Sequence, residues 1–290
     1  MRNSLKSNSS QLGSYVAGLW EGDGHLWIPK TSRAPSGKLY YPHFSITFHE
    51  WDYPLIVTLK ELIGGTIRHK KDNNAYVLTI SSLSGVKIII PLLNGKLRTP
   101  KIIKFNSMID WINSYTGSNF SKYTEDTSPL LENAWFSGFI DADGSFDLRI
   151  TLKSQKYPKN SVSARFRIEQ RVSDPVCASE GESYLNIFQI ISNVLGVRLG
   201  TTIHNNDIEY LIISLSSLKS RIILIEYLDH FPLFSSKFLN YTDWKKCHTL
   251  MIDKVHLTEE GRNKAIYLKS SMNRNRNHFN WDHLNKLSSY

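Results

Sequence analysis

Val16 to Gly24 reads V-A-G-L-W-E-G-D-G, and Phe136 to Gly144 reads F-S-G-F-I-D-A-D-G. Each is an apolar, small-residue run closed by an acid, a small residue, Asp and Gly. Gly18 matches Gly138, Glu21 matches Asp141, Asp23 matches Asp143 and Gly24 matches Gly144. A repeat at half-chain spacing sets a two-part architecture before any single residue is interpreted. Both copies read as helices. The first runs from near Ser10 to Gly24; the second takes Ser128 as its N-cap and Pro129 as its first helical residue. Both end at Gly, the common helix-stop residue. Ser14 and Gly18 lie four apart, as do Ala134 and Gly138, and small residues at that spacing let two helix backbones approach closely. Close approach would bring Asp23 and Asp143 to a common axis. Two carboxylates there repel unless cations lie between them, and hard oxygen ligands suit Mg²⁺ best.

This pair of motifs resembles the LAGLIDADG homing endonucleases, in the single-chain, two-motif form encoded in organellar introns. The resemblance runs from about Gln11 to the C-terminus. It implies an α+β fold of two pseudo-symmetric αββαββα repeats, each with a four-stranded antiparallel DNA-binding sheet, packed through the motif helices. It also implies a site-specific, double-strand DNA endonuclease that acts in intron homing. Asp23 and Asp143 would be catalytic and would hold Mg²⁺ (Mn²⁺ or Ca²⁺ in the same sites), with the carbonyls of Gly22 and Ala142 as further ligands. Glu21 and Asp141 are not ligands in that pattern. The family's catalytic lysines near the start of a late helix in each half, which would stabilise the scissile phosphate or orient water, correspond to Lys101, in R-T-P-K, and Lys237, in F-S-S-K. The family's glutamine at the end of the second strand corresponds to Gln170. The first half has no glutamine there; the aligned position falls on Phe48 or His49. A mitochondrial setting is implied by the resemblance alone.

The chain has 290 residues, enough for a large core in one or two domains. With 41% hydrophobic residues it is globular, and its net charge of +9 favours a polyanionic partner, most simply nucleic acid. Two cysteines, Cys177 and Cys247, make neither a disulfide framework nor a zinc site. No apolar stretch is long enough to span a membrane, and Met1 to Ser10 reads as a flexible lead-in without a signal core.

The division expected is residues 1–113 for the first repeat, 114–128 for a Ser/Thr/Gly-rich linker, and 129–290 for the second repeat with a basic extension. Alternating strands carry the DNA-reading residues. In the first half His43, Ser45 and Thr47 oppose Phe44, Ile46 and Phe48, and a hairpin around Asp72-Asn73-Asn74 adds Arg68 and Lys70. In the second, Arg149, Thr151 and Lys153 oppose Phe146, Leu148, Ile150 and Leu152, while Arg165 and Arg167 oppose Phe166 and Ile168, and either read bases or pair with Asp147 and Glu169 across the sheet and only hold it together. A further hairpin turns at Asn205-Asn206. Arginine reads guanine through two parallel donors, and a two-stranded ribbon fits the major groove. Gly261 to Asn277 carries Arg262, Lys264, Lys269, Arg274 and Arg276 without an acid; it reads either as a segment that lies over the protein and touches DNA phosphate or as a solvated tail. The partner expected is double-stranded DNA, met by a monomer. The rivals are an intron-RNA-binding splicing maturase of the same fold and a non-catalytic DNA-binding regulator; both acids of the motif pair weigh against them.

Overall fold

The computed structural model describes residues 2–173, 183–204, 207–215 and 217–290, with side chains from Gln11 onward. Cys177 and the Asn205-Asn206 turn lie outside the described residues. The first half runs α1 (Arg2–Asp23), β1 (Gly24–Trp27), β2 (His43–His49), α2 (Tyr53–Ile63), β3 (Thr66–Lys70), β4 (Ala75–Ile80), α3 (Leu83–Leu93) and α4 (Lys101–Thr116). The second repeats the order with α5 (Trp135–Asp143), β5 (Gly144–Thr151), β6 (Ser161–Arg171), α6 (Leu185–Leu195), β7 (Gly200–His204), β8 (Ile208–Leu215), α7 (Leu218–His230) and α8 (Lys237–Ile252), then adds α9 (Glu259–Ser270).

Each half builds an antiparallel four-stranded sheet, in the orders β1-β2-β4-β3 and β5-β6-β8-β7. The alternation of β2 and β6 decides which face is covered: Phe44, Ile46 and Phe48, and Ala164, Phe166 and Ile168, are buried under helices. The opposite faces remain open. The halves meet along α1 and α5, the most intimate helix pair in the molecule.

Several sequence expectations are corrected. α1 extends back to Arg2, so the lead-in is helical backbone. Ser128 and Pro129 do not start α5. Pro129 is extended (ψ 135) and precedes a short 3₁₀ turn, Leu130–Glu132, and the α-helix begins only at Trp135. The Ser128 hydroxyl instead accepts hydrogen bonds from Arg98 and Asn133. Gly24 and Gly144 are not left-handed helix stops; neither has positive φ, and each is the first residue of a strand. They are glycine for space. A Cβ on Gly24 would lie 2.1 Å from the Trp20 ring, and one on Gly144 2.6 Å from the Ile140 side chain. Lys153 and Leu152 lie beyond β5, and Leu152 is exposed rather than on the covered face.

The C-terminal segment is neither free tail nor simple basic arm. Asn273 bonds to Asn240 and to the Phe146 carbonyl, and Arg276 pairs with Asp243 at 2.6 Å. Phe279 then contacts Trp51 of the first half, and the final 3₁₀ turn, Asp282–Ser289, buries His283, Leu284 and Leu287. Arg262 and Lys264 are engaged with the Leu257 carbonyl and Glu260. The chain therefore closes back over both halves.

Candidate active site

The seam between α1 and α5 is set by glycine. A Cβ on Gly18 would stand 1.9 Å from the Trp135 carbonyl oxygen, and one on Gly138 would stand 2.0 Å from that of Tyr15. Further along, a Cβ on Gly22 would lie 2.2 Å from the Ala142 Cβ and 3.1 Å from Asp143 Oδ2. Such an approach is open only to residues without side chains. It delivers Asp23 and Asp143 to one place, where burial raises both carboxyls. Asp143 is pushed up to about 7, first by burial and then by the charge of Asp23. The rise at Asp23 also comes first from burial and is opposed by Lys237 and Lys101.

The first acid of each motif does structural work. Glu21 accepts hydrogen bonds from the backbone of Arg98 (3.0 Å) and Thr99 (2.7 Å), from the Thr99 hydroxyl (2.6 Å), and across the seam from Trp135 Nε1 (2.6 Å). Asp141 repeats the pattern: it accepts from the backbone of Phe234 (2.7 Å) and Ser235 (3.3 Å), from the Ser235 hydroxyl, and across the seam from the Tyr15 hydroxyl (2.8 Å). Burial pushes Glu21 up to about 7 and Asp141 to about 6. Each acid thus pins the segment leading into α4 or α8, which fixes the lysine that begins it. Lys101 Nζ donates to the carbonyls of Trp20 (3.3 Å), Gly22 (3.1 Å) and Gly24 (3.0 Å). Lys237 Nζ donates to those of Ala142 (2.5 Å) and Ile140 (3.4 Å). Both ammonium groups therefore sit at the negative ends of the motif helices, on the two carbonyls, of Gly22 and Ala142, that the resemblance implies as ligands.

The halves differ at the next position out. Gln170 Nε2 donates to Asp143 Oδ2 at 3.0 Å. Gly144 pairs with Ile168 and Gly24 with Ile46, so two residues further Gln170 corresponds to Phe48. Phe48 is buried and His49 points away, accepting from the Trp51 amide. Asp52, which the sequence reading missed, is buried and faces Ser236 of the other half. The hydroxyls of Thr99 and Ser235, each two residues before its lysine, are the sequence signal for the clamps.

The open sheet faces also differ. On the first, His43, Ser45 and Thr47 line β2 and Arg68 and Lys70 line β3, with Trp27 packed on His43 (4.8 Å) and no acid in the rows. On the second, Arg149 and Thr151 lie on β5, and Arg165 and Arg167 on β6 are paired with Asp147 and Glu169. Arg149 has no acid partner among the described residues.

The model of the LAGLIDADG endonuclease family matches residues 16–112 and 136–248, both repeats as folded. The chain belongs to this family. As a LAGLIDADG endonuclease it is a nuclease, a hydrolase of phosphodiesters. It is 31% identical over 262 residues to an uncharacterized cox1 intron-2 protein of Schizosaccharomyces pombe, covering 88% of this chain and 71% of that one. It is 29% identical to the intron-encoded DNA endonuclease aI3 of Saccharomyces cerevisiae, over 97% of this chain and 74% of the relative. Among solved structures, the homing endonuclease I-SmaMI bound to cleaved DNA superposes with a TM-score of 0.67 at 20% identity, over 91% of this chain and 97% of that one. I-LtrWI bound to its target DNA gives 0.65 at 21%, over 93% and 100%. An RNA maturase of S. cerevisiae, bI4, is 24% identical over only 54% of this chain.

Proposed function

We propose that this endonuclease binds one long, asymmetric double-stranded DNA site as a monomer and cuts both strands with a divalent metal, Mg²⁺ by preference, in the service of homing by its own intron. The observation that carries this reading is the convergence of Asp23 and Asp143 at the paired ends of α1 and α5, each beside a lysine. Two similar half-sites on one chain suit two strands. The open sheets, one per half, suit the two arms of an asymmetric site. One of the related solved structures, I-SmaMI on uncleaved target, contains calcium ions.

The donor set fits a hard cation. Among the described residues no group of three or more His, Cys, Asp or Glu side chains is placed to hold a metal by itself. Asp23, Asp143 and the carbonyls of Gly22 and Ala142 would hold the metal. All are oxygens. Those carbonyls already accept hydrogen bonds from cationic groups. When bound, the metal would activate water and stabilise the leaving oxygen. Gln170 orients Asp143 through its amide. Lys101 and Lys237 keep positive charge at the place where phosphate charge must be met. His43, Ser45, Thr47, Arg68, Lys70, Arg149, Thr151, Lys153, Arg165 and Arg167 would contact DNA, with flanking basic residues making the binding salt-dependent. Organelle-encoded introns of the relatives' kind suggest a mitochondrial setting.

Incubation with a library of DNA sites and Mg²⁺, followed by sequencing of cut ends, tests the reading. Wild type should give one dominant site. Asp23→Asn and Asp143→Asn should each lose roughly 10² or more in cleavage rate while binding the same site in Ca²⁺. Near wild-type cutting by either variant would remove that acid from the site, and a 2:1 protein-to-duplex mass at the site would remove the monomer.

A further inference from the structure

The segments leading into α4 and α8 make matching hydrogen bonds except at one position. Before Lys101 stand Arg98, Thr99 and Pro100; before Lys237 stand Phe234, Ser235 and Ser236. In the first half Glu21 takes the amides of Arg98 and Thr99, the Thr99 hydroxyl takes that of Lys101 (3.3 Å), and Pro100 has none to place. In the second, Asp141 takes the amides of Phe234 and Ser235, and the Ser235 hydroxyl takes that of Lys237 (3.1 Å). That leaves the Ser236 amide, which a proline would not carry. Its partner is Asp52 Oδ1, at 2.6 Å, from the other half of the molecule.

Asp52 is placed for this task at the expense of its own helix. It is the N-cap residue of α2, yet its side chain makes no capping bond there. It and Ser236 are both buried, 9% and 8% exposed, so the bond is shielded from water. The carboxylate lies within electrostatic reach of Lys237 and of Asp23. We infer that Asp52 is a positioning residue for cleavage: it latches the first half onto the start of α8 and so fixes Lys237 against the Ala142 carbonyl, a task that Pro100 makes unnecessary on the other side. The inference rests on the endonuclease reading above. It adds that the two lysines, alike in place, are held by different means: the opposite half takes the Ser236 amide directly before Lys237, where Pro100 offers none before Lys101.

The test is single-turnover cleavage of the site recovered from the library, in Mg²⁺, with site affinity measured separately in Ca²⁺. Cleavage by wild type is the control, and its failure would overturn the endonuclease reading rather than this one. Asp52→Ala strands a buried donor. It should slow cleavage about ten-fold while leaving affinity within about two-fold. Asp52→Ala combined with Ser236→Pro copies the first half and removes the stranded donor; Ser236 has φ of −55, which proline accepts. This double variant should recover most of the lost rate. In a Lys237→Met background, Asp52→Ala should add less than about two-fold, because its effect runs through Lys237. Should Asp52→Ala fail to fold, Asp52→Asn, which keeps an acceptor oxygen, replaces it and should cut at no less than about half the wild-type rate. Wild-type cleavage by Asp52→Ala, no recovery in the Ser236→Pro double variant, or a full ten-fold further loss in the Lys237→Met background would each overturn the assignment.

Discussion

The two motif ends are copies in everything that sets the backbone and differ in what surrounds the reacting groups. Glu21 and Asp141 make matching clamps, and Lys101 and Lys237 matching caps. Yet Asp143 has Gln170 at 3.0 Å, while the corresponding first-half position is the buried Phe48. Pro100 has no amide N–H to place, while the Ser236 amide is held by Asp52. Geometry that two packed helices must share cannot drift in one copy alone, because Gly18 and Gly138 each lie against the backbone of the other helix. Side chains beside the carboxylates carry no such reciprocal constraint.

The seam should therefore be the most symmetric feature when broken. Gly18→Ala and Gly138→Ala each force a methyl into a carbonyl, at 1.9 and 2.0 Å. Overpacking costs typically 1–3 kcal/mol, and backbone against backbone leaves no flexible side chain to yield, so about 3 kcal/mol is expected for each. Urea denaturation gives the values. A difference of more than about 1.5 kcal/mol between the two variants would show that the seam is not equally tight on both sides.

A second test uses the acids. Asp143 is raised from its ordinary 3.8 to about 7. With its folded value above its unfolded one, the metal-free protein gains stability from a protonated Asp143 below pH 4 and loses that gain as pH rises to about 7. Divalent-ion binding must displace this proton, so apparent Ca²⁺ affinity should fall by up to roughly ten-fold per pH unit below 7 and flatten above it. Ca²⁺ titration monitored by thermal shift at pH 6, 7 and 8 measures it. A pH-independent Ca²⁺ affinity in wild type would contradict the shared site.

Gln170 sharpens the asymmetry. Gln170→Ala releases Asp143 on one side only, so its effect should be confined to one strand: about ten-fold slower cutting there, the scale of one lost charge-assisted hydrogen bond, with nicked duplex accumulating. End-labelling each strand separately reads this directly. Equal slowing of both strands would place Gln170 in a general structural role.

Much of this was legible in the sequence because the repeat is long and its chemistry local. The D-G and D-A-D-G endings located the carboxylates, the resemblance pointed to Lys101 and Lys237 without showing that they cap the motif helices, and strict alternation in β2 and β6 gave the covered faces. What stayed hidden depends on distant partners. Ser128-Pro129 looks like a helix start, but Arg98 and Asn133 claim the Ser128 hydroxyl. Asp52 looks like an ordinary N-cap until Ser236, from the other half, is seen beside it. The basic run after Gly261 reads equally as a solvated tail or as a segment lying over the protein until Asp243 and Asn240 are seen to hold Arg276.

The smallest expected effect concerns the open face of the second sheet, where the comparison is between arginines. Arg165 and Arg167 pair with Asp147 and Glu169 in the open, their side chains 51% and 44% exposed. Exposed pairs of this kind contribute about 0–1 kcal/mol to stability, so they are cheap to exchange for DNA. Arg149 stands opposite Ser163 across the strands, with no acid to leave. Stability should therefore change by less than about 1 kcal/mol for Arg149→Ala, Arg165→Ala and Arg167→Ala alike. In a cleavage profile over every single-base variant of the site, Arg149→Ala should relax one position most strongly, by about 1–3 kcal/mol. Arg165→Ala and Arg167→Ala should relax less, since each wild-type arginine gives up an ion pair to reach a base. If all three lower cutting uniformly with an unchanged base profile, these arginines hold phosphate or hold the sheet, and readout must lie on other residues of the same face.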